Sequence, residues 1–290
     1  MTRRLISALL AVLLATPAAA ARDDDRTALR AMTYNIRLDL ASDGANSWAY
    51  RQQMVGAVIR HEAPDLLGLQ EVLHAQKRDL ELALPEYQLV GVARDDGREK
   101  GEYSSLAFRR ERFKLIDSGT FWLSETPDVP GKGWDAAFPR IATWAVLRDR
   151  KSRQSIRVIN THFDHIGLVA RQQSAAQLLR WINVGAAAKL PTILMGDLNS
   201  TPDDPGYKLF AETQTSGLRD ARLASRTPAY GPPGTFNAFK FDRDAPAPID
   251  HVFVSGGFSV ESYSVVTQHW GGRLPSDHYP VVVDVTFNRK

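Results

Sequence analysis

Two rhythms of apolar residues take turns along this chain. Residues 29–36 alternate apolar and polar side chains, the period-two pattern of a strand. Residues 50–60 change to helical spacing, with Met54, Val55, Val58 and Ile59 on one side, and Pro64 stops that helix. A short apolar run at 65–70 reads as a buried strand, and residues 74–84 as a second helix with Leu80, Ala83 and Leu84 on one side. Residues 87–93 and 104–108 read as strands flanking a polar loop at 94–102. Strands at 141–147 and 156–160 form a hairpin about the basic turn 148–154. The longest helix is predicted over 168–188, with Ala175, Leu178, Leu179 and Ile182 at i, i+3, i+4, i+7 spacing. A buried strand at 192–195 ends at Gly196, and strands at 251–255, 260–266 and 281–287 complete the chain. Strands outnumber helices and several connections are hairpins. The pattern therefore predicts an α/β protein with two packed sheets and outer helices, one domain over residues 29–290, rather than a doubly wound sheet.

The first 21 residues differ in kind. Arg3 and Arg4 precede an apolar run from Leu5 to Ala15, then Pro17 and the small residues Ala18 to Ala21. This order is that of a secretory signal cleaved near Ala20 or Ala21, so the chain is expected to be exported, periplasmic or secreted. A flexible segment is expected over residues 22–28. The apolar run is too short to span a bilayer, and no later stretch is long enough. With no cysteine, a thiol-linked lipid anchor, a disulfide and a cysteine metal site are all excluded. The chain carries a net charge of +3, and removing Arg3 and Arg4 leaves about +1. No strongly basic surface for nucleic acid is evident. Basic runs such as Arg148 to Arg153 alternate with acids and read as solvated turns. A monomer is expected.

Polar side chains suited to a metal or a phosphate recur at the ends of the predicted strands, where they can converge on one rim. The segments are Thr33-Tyr34-Asn35-Ile36-Arg37, Gly68-Leu69-Gln70-Glu71, Asn160-Thr161-His162-Phe163-Asp164-His165, Gly196-Asp197-Leu198-Asn199-Ser200, Ile249-Asp250-His251 and Ser276-Asp277-His278-Tyr279-Pro280. Any one alone reads as a turn or a helix cap. Spacing by two places Asp197 with Asn199, Asn35 with Arg37 and His162 with Asp164 on common sides of their strands. Hard oxygen ligands such as Glu71 and Asp277 suit Mg2+, whereas no histidine cluster suggests zinc.

Together and in this order, the segments resemble the motifs of the endonuclease/exonuclease/phosphatase superfamily from residue 31 to residue 281. The resemblance implies a DNase I-like, four-layer α/β/β/α sandwich and a metal-dependent phosphoric-ester hydrolase. It implies that Glu71, helped by Asn35 and Asp277, holds Mg2+, with Mn2+ as a substitute. Asp250 and His278 would form a carboxylate–imidazole pair beside the scissile phosphate. Asp197, oriented by Asn199, would activate water or protonate the leaving oxygen. His162 would donate to a phosphoryl oxygen, and Arg140 would be a second phosphate clamp. Tyr103 and Trp134 are further candidates for substrate contact; Glu102 shares a structural alternative, and His165 and His251 read as supporting residues. Asp164 could orient His162 or cap a helix. Trp122, Phe239 and Trp270 could stack on a base or sugar, whereas Trp144 and Trp181 read as core.

Within the superfamily, the stretch Thr120-Phe121-Trp122-Leu123-Ser124-Glu125-Thr126-Pro127 and the loop Gly133-Trp134-Asp135 resemble an exported bacterial branch. The expected activity is that of an exported phosphodiesterase acting on a phosphate ester of unspecified type. A nuclease, a sugar or inositol phosphomonoesterase and a sphingomyelinase-like phospholipase C remain alternatives, with Phe236 to Phe241 the one candidate lipid-facing loop. A catalytically silent binding module would be expected to lack Glu71, Asp197, Asp250 or His278, and none is lacking.

Overall fold

The computed structural model describes residues 28–242 and 245–288. The signal reading of residues 1–21 and nearly all of the segment 22–28 lie outside these residues; Ala28 opens the first strand. Twelve strands form two six-stranded mixed sheets. The first contains β1 (Ala28–Asn35), β2 (Leu66–Val72), β3 (Tyr87–Val90), β4 (Tyr103–Arg109), β11 (Phe258–Val265) and β12 (Val281–Phe287), in the order β11-β12-β1-β2-β4-β3. The second contains β5 (Phe113–Trp122), β6 (Ile141–Asp149), β7 (Ser155–His162), β8 (Thr192–Asp197), β9 (Leu218–Asp220) and β10 (Asp250–Ser255), in the order β5-β6-β7-β8-β10-β9. Helices α1 (Trp48–Glu62) and α2 (His74–Ala83) cover the first sheet, and α3 (Leu168–Ile182) and α4 (Pro205–Ala211) cover the second. The result is the expected α/β/β/α sandwich.

Each sheet has one parallel pair, β1 with β2 and β7 with β8. Each of those pairs is joined through a covering helix, α1 or α3, because parallel neighbours need a crossover. The helix faces follow the spacing in sequence. Val55, Val58 and Ile59 of α1 bury against Met32, Tyr34, Leu67 and Leu69, and Ala175, Leu178 and Ile182 of α3 bury against Ile159, Leu194 and Phe253. The opposite faces of the strands meet between the sheets. There Leu29, Ala31, Leu66, Ile156, Val158, Ile193, Met195, Val252 and Val254 form one apolar layer.

Following that inner face along each strand leads to the site. β1 reads Leu29, Ala31, Thr33, Asn35; β7 reads Ile156, Val158, Asn160, His162; β8 reads Ile193, Met195, Asp197; and β10, running the other way, reads Val254, Val252, Asp250. Period two keeps all of these on one face, so the layer between the sheets is apolar at one end and polar at the other. The change is sealed by a buried amide network. Asn160 donates to the carbonyls of Leu69 (2.9 Å) and Ser105 (2.8 Å) across the sheets and accepts from Gln70 Nε2 at 2.6 Å. Gly68 is required beneath it, since a Cβ there would lie 2.6 Å from Asn160 Oδ1.

Three element readings change. The third helix ends at Ile182 instead of 188, because Gly185 takes a left-handed φ of 80° and a short 3-10 turn, Ala186–Lys189, follows. β5 has no regular alternation to announce it: it is an edge strand, bulged between Leu115 and Asp117, and much of its middle is partly exposed. β9 has three residues, too few to carry a period. Trp144 and Trp181 pack together, ring centroids 5.4 Å apart, partly buried against the core beneath α3 rather than within it.

Candidate active site

The polar rim opens on a cavity of about 580 Å³ whose lining includes Glu71, Arg140, His162, Asp197, Asp277 and His278. Asn199 also lines it, while Asn35 and Asp250 lie behind these residues, fully buried. Nine of the eleven residues expected at the site therefore come together.

His278 is the centre of a carboxylate–imidazole chain. Its Nδ1 lies 2.8 Å from Asp250 Oδ2, and its Nε2 faces Asp197 Oδ2 at 3.8 Å. Burial opposes a charged ring, but the carboxylates of Asp250, Asp197 and Asp277 outweigh it and hold the imidazole well above its ordinary range. Asp197 accepts from Asn35 Nδ2 at 2.9 Å and from the Asn199 N–H at 2.9 Å. Burial first, and the nearby Asp250 charge second, push its carboxyl up to about 7. Asp197, Asp250 and His278 offer ligand atoms within 4.8 Å of one another, a buried group that could hold a metal ion.

A second acidic pair lies on the other side of Asn35. Asn35 Nδ2 donates to Glu71 Oε1 at 3.0 Å, and Arg37 Nη1 stands 3.9 Å from both Glu71 Oε2 and Asp277 Oδ2. Burial, then opposed by His278 and reinforced by Glu71, raises the Asp277 carboxyl above its usual range. Two carboxylates lining one cavity and sharing Arg37 at 3.9 Å are a hard-oxygen donor set that fits a divalent cation. Glu71 reaches this place through a left-handed turn, φ 60°, which ends the regular pairing of β2. Arg37, φ 58°, is held outward by a two-nitrogen pair with Asp43, 3.0 Å from each oxygen.

The opposite wall is cationic. Arg140 donates through Nε to Asp164 (3.2 Å) and through Nη2 to His165 Nδ1 (3.0 Å), while its buried Nη1 has no partner. Arg94 pairs with Glu102 at 2.6 Å, and its buried Nε, 3.9 Å from Asp95, makes no hydrogen bond. His162 is kept neutral by burial and by Arg140 and Arg94; its Nε2 lies 3.6 Å from Asp197, and its Nδ1 faces Glu102 at 3.7 Å without a hydrogen bond. Three buried nitrogens without a hydrogen bond in one corner cost free energy unless an acceptor arrives. A phosphoryl group supplies several acceptors.

Some sequence expectations resolve differently. Asn199 is not level with Asp197 on the strand: β8 ends at Asp197, Asn199 adopts φ 45°, and its side chain donates to the Phe163 carbonyl. Asp164 does not orient His162. It accepts from the N–H groups of Ile166 and Gly167 and pairs with Arg140, and those donors outweigh burial to hold it well below the usual carboxylate range. Tyr103 is turned away from the cavity, its hydroxyl donating to the Arg98 carbonyl and lying 3.0 Å from His74 Nδ1. Trp134 is half-buried in a loop, its N–H donating to Glu125, and does not line the cavity. Trp122 supports the site indirectly, since its indole N–H donates to the Arg94 carbonyl at 2.7 Å. His251 braces the Asp197 loop by donating to the Ser200 carbonyl.

Three residues had no signal in the sequence. Arg94 lies in a polar loop where every charge reads as solvated, and Phe138, stacked on His165, has no periodicity around it. Arg51 sits within the buried stripe of α1, yet its guanidinium donates to the carbonyls of Ile36, Arg37 and Pro275, which fixes the loops that carry Asn35 and Asp277.

Residues 32–278 match the model of the endonuclease/exonuclease/phosphatase family, and the chain belongs to that family. An endonuclease/exonuclease/phosphatase family protein from Bacteroides thetaiotaomicron is 36% identical and superposes with a TM-score of 0.86, covering 91% of this chain and 99% of its own. A mannosyl-6-phosphatase from the same organism is 37% identical, with a TM-score of 0.84 over 89% of this chain and all of that one (100%). Nocturnin of Rattus norvegicus is 26% identical over 295 residues, which is 90% of this chain and 66% of Nocturnin. Fold, family and site together define a phosphoric-ester hydrolase.

Proposed function

We propose that this chain is an exported, Mg2+-dependent phosphatase that hydrolyses a small phosphomonoester, with a sugar phosphate as the substrate class. The observation that carries the monoester reading is the cationic corner. Arg140 and Arg94 line the cavity, each with a buried nitrogen that makes no hydrogen bond, with neutral His162 and the Arg94-paired Glu102 beside them. Such a corner favours a dianionic terminal phosphoryl group over the single charge of a diester. The mannosyl-6-phosphatase at 37% identity supports the same class. A phosphodiesterase is the second reading, favoured by the partly exposed apolar wall of Leu38, Leu40 and Phe236, which could seat a second ester group.

Glu71 and Asp277 would hold the cation, with Asn35 fixing Glu71 through its amide. Between the two candidate groups this pair suits Mg2+ better, because both ring nitrogens of His278 already face carboxylates in the other. Bound Mg2+ would supply charge neutralisation at the phosphoryl oxygens. Asp197 would take a proton from the attacking water as the new P–O bond forms and the ester P–O bond breaks, and the departing alcohol oxygen would take its proton from solvent. Protonated His278, His162 and Arg140 would donate to the phosphoryl oxygens, where charge must be held in place. Asp250 would keep His278 charged and oriented.

The test is phosphate release from mannose 6-phosphate and glucose 6-phosphate beside cleavage of bis(p-nitrophenyl) phosphate and plasmid DNA, with Mg2+ or EDTA. Sugar-phosphate turnover about a hundredfold above diester turnover, and lost in EDTA, is expected. A preference for the diester or for DNA sinks the monoester reading. Export is tested by finding the protein, cut near Ala21, outside the cytoplasm.

A further inference from the structure

The end of the sandwich remote from the active site holds a second concentration of charge. The β6–β7 turn, Arg148-Asp149-Arg150-Lys151-Ser152-Arg153, carries four basic side chains and one acidic one. The fold separates them. Asp149 is fully buried, 3.3 Å from Arg112 Nε, and it accepts from the N–H of Lys151 (3.0 Å) and the Ser152 hydroxyl (2.7 Å). Its charge is thus satisfied inside the turn, and Arg148, Arg150, Lys151 and Arg153 are left exposed. Lys114 of β5 is the direct cross-strand partner of Arg148, a like-charge pairing that costs stability.

Beside this turn lies a groove of about 900 Å³, with Arg148, Arg153 and Lys189 on its walls and Leu190, Pro191 and Phe287 in its lining. Among the described residues no aspartate or glutamate lines it. A concave surface with one sign of charge concentrates counter-ions of the other. We propose that this groove binds a linear polyanion, a chain carrying repeated phosphate or sulfate groups read by charge. A single-stranded nucleic acid fits less well, because Phe287 is buried and no exposed aromatic ring lines the groove for base stacking. The groove begins at Ser155, the first residue of β7, and the catalytic rim at His162, the last, so the sites stand about 25 Å apart. A bound polymer would hold the protein on an anionic matrix and leave the catalytic cavity open, whichever ester that cavity cleaves.

The test is fluorescence anisotropy with labelled inorganic polyphosphate and labelled heparin, titrated with the full mature protein. The groove variant is Arg148→Ser with Arg153→Ser and Lys189→Ser. The control removes the same charge elsewhere, with Arg60→Ser, Arg78→Ser and Lys132→Ser, all exposed. Wild-type binding should weaken by about tenfold or more between about 50 and 200 mM NaCl. The groove variant should lose about tenfold in Kd at the lower salt, the control less than about threefold, and both should keep wild-type turnover of a small phosphate ester. Absence of wild-type binding at low salt, or an equal loss in the control, overturns the proposal. Binding of single-stranded DNA as tight as that of polyphosphate overturns the ligand class.

Discussion

Replacing Arg140 with alanine tests the cationic corner most directly. In the folded protein this guanidinium spends two nitrogens on Asp164 and His165 and leaves Nη1, beside the cavity it lines, without a hydrogen bond. A hydrogen bond to a charged group contributes about 1.5–3 kcal/mol, and each 1.4 kcal/mol is about tenfold in rate. The loss in kcat/KM on a phosphomonoester should therefore be about tenfold to a hundredfold. On a diester, which presents half the charge, the loss should fall near the lower figure. Removing one partner of a buried pair also costs stability, by up to about 3–5 kcal/mol. Here the cost is softened, because Asp164 keeps the N–H groups of Ile166 (3.0 Å) and Gly167 (2.8 Å). Arg140→Lys is the companion variant: it keeps the charge but cannot span Asp164, His165 and the cavity together. The assay is kcat/KM for p-nitrophenyl phosphate and bis(p-nitrophenyl) phosphate with Mg2+, with circular dichroism to verify folding and added guanidinium to rescue the alanine variant. A folded Arg140→Ala protein that keeps more than about a third of its monoester activity would refute the assignment, since the missing hydrogen bond is then worth less than 1 kcal/mol. Equal losses on both esters would refute the monoester reading.

Glu71→Gln should weaken Mn2+ binding by about tenfold or more in calorimetry while leaving the fold intact, and turnover should fall by several orders of magnitude; unchanged Mn2+ affinity would move the cation elsewhere. In EDTA, thermal stability should fall as pH rises from about 5 to 7.5. Asp197, held near 7 in the folded chain, binds more protons there than the unfolded carboxyl does, and an Asp197→Asn variant should show a drop smaller by a few degrees. Gly196→Ala should destabilise by about 3 kcal/mol, because its Cβ would stand 2.0 Å from the Thr161 carbonyl oxygen at φ 151°; a melting temperature within 2 °C of wild type, about what 1 kcal/mol shifts, would contradict this close approach.

Much of this molecule is legible from local patterning, because period two and period 3.6 are backbone properties that the chain expresses residue by residue. The strands that carry Asn35, His162, Asp197 and Asp250, and the two covering faces of α1 and α3, follow from it. Asn35, His162, Asp197 and Asp250 each continue the inner face of an apolar strand, whereas Glu71, Arg140, Asn199, Asp277 and His278 were legible only through the order of the motifs they belong to. What the tertiary structure alone decided is which charges meet. Arg94 reaches the cavity because Trp122, distant in sequence, holds its carbonyl, and Tyr103 turns away because Arg98 and His74 engage its hydroxyl. Asp164 belongs to Arg140 and to the turn before α3, and Asp149 is drawn inside by Arg112, leaving the four basic side chains of its turn exposed. Long polar side chains can reach partners across either sheet, and burial sets how strongly each pair interacts. Neither choice is encoded in the neighbouring residues, so only the assembled fold determines it.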